Sequence, residues 1–163
     1  MQPTHIPKSL VAIEVPVPAR KSNYPEQFAS LVQGRIKRRL GEPFGLSGFG
    51  VNLVCLQPGS ASSVKHWHTR EDEFIYVLSG ALVLTVGDER TALHAGECAG
   101  FPAGVPVGHC LKNESAEDAW YLEIGSRVEG DQAQYPDDDL ALTRHEGQYV
   151  FTRKDGTPYS GDA

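Results

Sequence analysis

The stretch KHWHTREDEFIYVLSG, residues 65–80, places two histidines one residue apart and follows them with a run of strand-forming residues. In a β-strand, residues two apart point to the same face, so His66 and His68 project together, with Trp67 on the opposite side. Glu73 follows after the short turn TRED. A hairpin at this turn would bring the Glu73 carboxylate back towards the two imidazoles.

A third histidine lies in a segment that can lead back across the same sheet. The stretch GECAGFPAGVPVGHCLKN, residues 96–113, has a Gly/Pro-rich turn followed by a strand-like piece that contains His109. Three neutral imidazole nitrogens and one carboxylate oxygen make a good site for a divalent transition metal with open positions. Open positions allow water, substrate or dioxygen to bind. These ligand types do not distinguish zinc, manganese, iron and nickel.

The pattern of the whole chain indicates one β-rich domain with two arms. The 163 residues are enough for one domain with its own core. Between residues 34 and 126, short apolar runs alternate with turn residues, which is typical of an antiparallel sandwich or barrel. Prolines interrupt residues 1–33, where EQFASLVQG at 26–34 could form a short helix. Residues 127–163 are polar and contain one added strand candidate, QYVFTRK.

The two histidine segments resemble the two signature motifs of the cupin superfamily. The first motif usually runs Gly, five residues, His-x-His, three or four residues, Glu, six residues, Gly, and the matching residues are Gly59, His66, His68, Glu73 and Gly80. The second usually runs Gly, five residues, Pro-x-Gly, two residues, His, three residues, Asn, and the matching residues are Gly96, Pro102, Gly104, His109 and Asn113. One extra residue precedes the first His and two precede the last, all in predicted turns.

The resemblance covers about residues 50–126 and implies the fold and the metal site. The implied fold is an antiparallel double-stranded β-helix, or jelly-roll barrel. The implied metal is one divalent transition ion (Zn, Mn, Fe or Ni), bound inside the barrel by His66, His68, Glu73 and His109. Cupins of this kind are often dimers, so the resemblance also implies a homodimer.

The apolar pattern of EFIYVLSG, residues 73–80, bears on assembly as well. Ile75 and Val77 share one face of this strand, and an equally apolar set shares the other: Phe74, Tyr76 and Leu78. One face lines the barrel interior, so the other needs a second layer. We expect that layer to be the terminal arms or a second subunit.

A cupin metal site does not by itself fix a reaction. The chain resembles small single-domain bacterial cupins grouped with sugar-phosphate isomerases. This implies a metal-dependent isomerase acting on a small polar molecule such as a sugar or sugar phosphate, with the metal as Lewis acid. Two alternatives stay open: an iron-dependent dioxygenase or metal-dependent lyase, and a non-enzymatic small-molecule binding or sensing domain.

An isomerase also needs a general base within reach of its substrate. In WYLEIG, residues 120–125, Glu123 is the carboxylate of an otherwise apolar run and shares a face with Tyr121. If that face points inward, the two residues are our candidates for catalytic base and acid. The apolar pattern favours the opposite orientation, with Glu123 in solvent.

Basic residues give little support for a phosphate site. The stretch RIKRRL, residues 35–40, places three cations on one side of a predicted strand: Arg35, Lys37 and Arg39. We interpret this side as a solvated strand face. Arg70 and Lys112 are other candidates for phosphate binding, but Arg70 lies in a turn and Lys112 has the wrong strand parity.

Composition excludes several classes of protein. The net charge of −6 argues against a nucleic-acid binder, which usually has a basic face. We find no apolar run of 18 residues and no secretory signal, so we expect no membrane span and a cytoplasmic location. The three cysteines have no CxxC spacing, which predicts reduced, buried thiols.

Overall fold

The computed structural model describes residues 6–19, 22–146 and 148–159. Within these residues, antiparallel pairing joins twelve strands: β1 (Arg35–Arg39), β2 (Phe49–Leu56), β3 (Trp67–His68), β4 (Glu73–Ser79), β5 (Ala81–Val86), β6 (Glu89–His94), β7 (Cys98–Phe101), β8 (His109–Lys112), β9 (Ala119–Ser126), β10 (Gln132–Gln134), β11 (Ala141–His145) and β12 (Gln148–Thr152). Helical segments are short: α1 spans Glu26–Ala29, and 3-10 turns span Ala12–Glu14, Ser30–Val32 and Glu42–Phe44. No helix among the described residues is long and apolar enough to cross a membrane.

The order of the strands defines a jelly-roll barrel. One sheet has the order β1-β2-β9-β4-β7, a second has the order β12-β11-β10-β3, and a third has the order β6-β5-β8. Strands far apart in sequence lie side by side, as β2 does with β9 and β5 with β8. Such crossovers between antiparallel strands are typical of Greek-key and jelly-roll topologies. The prediction of an all-β antiparallel barrel is confirmed.

The core lies between the five-stranded and three-stranded sheets. Along β4, Ile75 and Val77 are 4% and 0% exposed, whereas the residues between them face outward. They pack in one cluster with inward residues of other strands: Val54, Leu56, Leu82, Leu84, Leu93, Leu111, Ala119 and Tyr121. The cluster closes the barrel beyond the histidines.

The outer face of β4 is apolar and uncovered by the described parts of the arms. Phe74, Tyr76 and Leu78 are 40%, 38% and 43% exposed. On the neighbouring strand β9, the outward residues Leu122 and Ile124 lie opposite Tyr76 and Phe74. A continuous apolar surface of this kind is a feature of interfaces.

The two arms pack against each other beside β3. Buried side chains of the arms form a second cluster with Val64 of the barrel: Phe28, Ala133, Tyr135, Leu140, Phe151 and Tyr159. The sequence predicted one added strand after residue 126, but the described residues contain three, β10, β11 and β12. Polar residues interrupt β10 and β11, so neither has the apolar run that identified β12. β10 pairs directly with β3, with Ala133 opposite His68.

The cysteines are free thiols in different surroundings. Cys55 is buried, Cys110 is half-buried and Cys98 is exposed. Burial, with the nearby charge of Asp118, raises the pKa of Cys55 to about 11, so this group is a thiol at neutral pH. The prediction of buried cysteines is wrong for Cys98, whose side chain lies on the open outer face of β7.

Candidate metal centre

Backbone pairing brings the third histidine opposite the first two. His66 and His109 form an antiparallel bridge, with the His66 N–H donating to the His109 carbonyl at 3.1 Å and the reverse bond at 2.8 Å. His68 lies two residues further along, in β3, on the same face as His66. Glu73 begins β4 after the intervening turn.

The three imidazoles surround the Glu73 carboxylate, which is the common point of the cluster, and His66, His68 and Glu73 form one group of possible metal ligands. The Glu73 Oε2 atom lies 3.6 Å from His66 Nε2, 3.8 Å from His68 Nε2 and 2.7 Å from His109 Nε2. His66 and His109 are 8% and 7% exposed. Phe101 stacks on His109 with ring centroids 3.6 Å apart, which fixes the orientation of that imidazole.

Hydrogen bonds set the tautomers of two imidazoles. His66 Nδ1 lies 2.9 Å from the Val64 carbonyl oxygen, which can only accept, so Nδ1 carries the proton. His68 Nδ1 lies 2.5 Å from the Asp131 carboxylate, which likewise accepts. Each Nε2 lone pair is therefore directed at the common point, as metal ligation requires. The donor set fits a divalent transition metal.

The electrostatics of the cluster suit a cation. Burial raises the pKa of Glu73, but hydrogen bonds from His109 and His66 outweigh it and hold this pKa well below its usual value. Burial lowers the pKa of His109. Burial also lowers the pKa of His68, but the hydrogen bond to Asp131 and the charge of Glu73 raise it above its usual value. An ionised Glu73 and a neutral His109 are the forms that bind metals.

Asp131 supports His68 from the C-terminal arm and was missed by the sequence analysis. It is 2% exposed and accepts hydrogen bonds from the Arg70 and Glu71 backbone N–H groups at 2.8 and 3.2 Å. Glu71 accepts in turn from Arg144 Nη1 at 2.9 Å. His68, Glu71 and Asp131 form a second group of candidate ligands. Because the bonds to Asp131 are already satisfied, we assign it a positioning role.

A cavity of about 590 Å³ lies beside the cluster. Five basic side chains line it: Arg35, Lys37, Arg39, Arg127 and Arg144. The three basic residues of β1, predicted to form a solvated face, line this cavity, with Arg39 exposed and the other two half-buried. Lys37 and Arg39 are paired with Glu123 and Glu42. Arg70 and Lys112, the cations considered from sequence, do not line this cavity.

Glu123 and Tyr121 face the cavity, so the orientation favoured by sequence is wrong. Glu123 Oε1 accepts from Lys37 Nζ at 2.6 Å and from Asn52 Nδ2 at 3.0 Å. Burial raises the pKa of Glu123, but the charge of Lys37 outweighs it and lowers this pKa. Burial and the Glu123 charge hold the pKa of Tyr121 well above its usual value. The alternating pattern of residues 120–125 gave the wrong orientation for Glu123 because the outer face of this sheet is as apolar as its core.

Comparison with known proteins identifies the family of the chain. Residues 52–125 match the Cupin domain family. A sugar phosphate isomerase of the cupin superfamily from Silicibacter pomeroyi has a similar structure, with a TM-score of 0.81 and 42% sequence identity. The similarity covers 86% of this chain and 90% of that one. The chain therefore belongs to the cupin superfamily.

Two further structures show how far the similarity extends. A candidate sugar phosphate isomerase from Acidithiobacillus ferrooxidans is 31% identical, with a TM-score of 0.69, over 74% of this chain and 77% of that one. A polyketide cyclase from Streptomyces resistomycificus shares the fold at 22% identity and a TM-score of 0.58, over 73% and 78%. No curated protein sequence matches the chain significantly.

We expect Asp131→Asn to weaken metal binding by roughly 10- to 100-fold, because the amide no longer fixes the His68 tautomer. Competition with a chelating dye would measure the dissociation constant for zinc and manganese. Asp88→Asn, in the exposed β5–β6 turn, is the matched control and should bind like the wild type. Unchanged affinity in a folded Asp131→Asn protein would contradict the positioning role.

Proposed function

We propose that this protein is a metal-dependent isomerase acting on a small polar molecule such as a sugar or sugar phosphate. One observation carries the proposal: Glu123 and Tyr121 line the same cavity as the three histidines and Glu73. A base and a hydrogen-bond donor thus face a site suited to a cation. The name of the 42% identical Silicibacter pomeroyi structure, a sugar phosphate isomerase, supports the same class.

The metal centre would be formed by His66, His68, Glu73 and His109. A divalent metal held there supplies a Lewis acid that polarises a carbonyl or hydroxyl oxygen of the substrate. The chain's own contribution is to orient the substrate and move its proton.

Glu123 is suited to act as the general base. Its lowered pKa keeps it ionised at neutral pH. Both of its hydrogen bonds, from Lys37 and Asn52, go to Oε1. Among the described residues Oε2 therefore has no donor, and it can accept a proton from a substrate carbon.

Tyr121 is suited to donate a hydrogen bond to the substrate oxygen. Its raised pKa keeps the hydroxyl protonated across the neutral range. The side chain is 0% exposed, and within the described residues its Oη meets the Ser62 side chain without the geometry of a full hydrogen bond. A buried hydroxyl so weakly bonded is uncommon, and a bound substrate would satisfy it.

The test is isomerisation in deuterated water by protein loaded separately with zinc, manganese, iron or nickel. We expect NMR to show interconversion of an aldose and ketose, or of their phosphates, with deuterium at the carbon beside the carbonyl. Glu123→Gln should lower kcat by roughly 10²- to 10⁴-fold with a smaller change in KM. Glu89→Gln, on the exposed β5–β6 hairpin, is the control and should retain wild-type rates.

Other outcomes would contradict the isomerase. Turnover that needs iron and consumes dioxygen would indicate a dioxygenase. Bond cleavage without isomerisation would indicate a lyase. Ligand binding without turnover under any metal would indicate a binding or sensing domain.

We also propose that the protein is a homodimer, with a second copy covering the outer face of β4 and β9. The exposed side chains Phe74, Tyr76 and Leu78 continue into Leu122 and Ile124 across the pairing of the two strands. No carboxylate or cation interrupts this set. Self-association through one such face is the usual arrangement of twofold dimers.

Light scattering after size-exclusion chromatography would test the dimer. We expect a mass of twice 17.8 kDa for the wild type. Tyr76→Lys combined with Leu78→Lys should give the monomer mass, because two charges would be buried without partners. Val150→Lys, at a residue 50% exposed on β12, should remain dimeric. A monomeric wild type, or a dimeric double variant, would contradict this interface.

A further inference from the structure

Arg35 differs from most other cations of the cavity in having no carboxylate partner among the described residues. Three of the others form ion pairs: Lys37 with Glu123, Arg39 with Glu42, and Arg144 with Glu71. Arg127 has no such partner within the described residues either, but its Nη1 donates to the Leu46 carbonyl oxygen at 3.5 Å and its side chain lies beside Gly50. Arg35 pairs with Leu56, at the end of β2 opposite Gly50. Arg35 and Arg127 therefore lie near opposite ends of this strand.

The guanidinium of Arg35 has spare donors. Its Nη1 donates to the Ser62 carbonyl oxygen. Its Nε is buried and has no hydrogen-bond partner within the described residues. A buried, unpaired donor on a charged group is costly, and an anion is the ligand that matches it. The planar fork of arginine fits the oxygens of phosphate and carboxylate groups.

The surroundings of Arg35 are polar and lie next to the metal centre. Tyr24, Tyr121 and Tyr135 line the same cavity. Tyr135 stacks on His66 with ring centroids 5.6 Å apart, and Tyr24 lies edge-on to Tyr135 at 6.3 Å.

The charges of Arg35 and the metal centre act on the same tyrosines. The charge of Arg35 acts to lower, and the charge of Glu73 acts to raise, the pKa values of all three: Tyr24, Tyr121 and Tyr135. The tyrosines therefore lie within the electrostatic reach of both groups. A ligand that contacts the metal centre can extend along the tyrosines to Arg35.

We infer that Arg35 binds an anionic group of the substrate, a phosphate or a carboxylate, with the neighbouring tyrosine hydroxyls as further donors. The inference rests on the proposed function in taking this cavity as the substrate site. It narrows the substrate class to small polar molecules that carry an anionic group at one end and a carbonyl or hydroxyl at the other. Arg35 thus supplies the cation that neither Arg70 nor Lys112 provides.

Anion binding to chelator-treated, metal-free protein tests this inference without any turnover. Titration calorimetry at low ionic strength would use inorganic phosphate and acetate as probes, and the tighter of the two would identify the anion class. Arg35→Gln should weaken binding about tenfold or more, the loss expected for a charged hydrogen-bonded pair. Arg90→Gln, at an exposed residue of β6 that is paired with Glu114 and lies outside the cavity lining, should stay within about twofold of the wild type. Thermal melts and the conservative Arg35→Lys variant would check that a loss is not general unfolding.

The possible outcomes distinguish anion binding at Arg35 from anion binding elsewhere in the cavity and from the proposed reaction. Retained phosphate and acetate binding in folded Arg35→Gln protein, or no binding of either by the wild type, would overturn the inference. Loss of binding in Arg127→Gln and not in Arg35→Gln would move the anion to the other end of β2, which also overturns it. Anion binding that depends on Arg35 in a protein without isomerase activity would leave this site standing and remove the proposed reaction.

Discussion

The site depends on one partly buried carboxylate that lies among three imidazoles. Glu73 Oε2 lies within 3.8 Å of the Nε2 atoms of His66, His68 and His109. Its side chain is 21% exposed, and a partly buried charge is destabilising unless it is compensated, so its compensation has to be built into the fold. The backbone bridge between His66 and His109 and the turn before β4 provide it. The same convergence places side chains that could hold a metal ion at the wall of the cavity.

The C-terminal arm is part of this site. β10 pairs with β3 and carries the chain past Asp131, which fixes the imidazole of His68 from behind. Arg144, on β11, neutralises the buried Glu71 of the turn that separates the histidines from Glu73. The barrel strands thus supply the candidate ligands, and the arm supplies the second layer that orients them. Removing the arm would leave the ligands present and poorly aligned.

The sequence predicted the local features of the site and missed the features that depend on tertiary neighbours. The spacing of His66 and His68 reflects strand periodicity, so their shared face could be read directly. The hairpin expected to carry Glu73 is wrong, because β3 pairs with β10 whereas β4 pairs with β7 and β9, and Glu73 reaches the histidines from a different sheet. Asp131 lies 63 residues from His68 and has no local pattern that links the two. The apolar pattern favoured a solvent orientation for the candidate base Glu123 because an alternating strand shows which residues share a face, and both faces here are apolar. The cations of β1 were interpreted as a surface because the polar lining of a cavity has the same sequence pattern.

The central claim is that these four side chains hold one divalent metal, and elemental analysis of tag-free protein tests it most directly. The account predicts about one equivalent of zinc, manganese, iron or nickel per chain. It also predicts loss of that metal in a folded variant that carries both His66→Ala and His68→Ala. Wild-type protein that takes up none of these ions after incubation, or a double variant that retains the same stoichiometry, would contradict it.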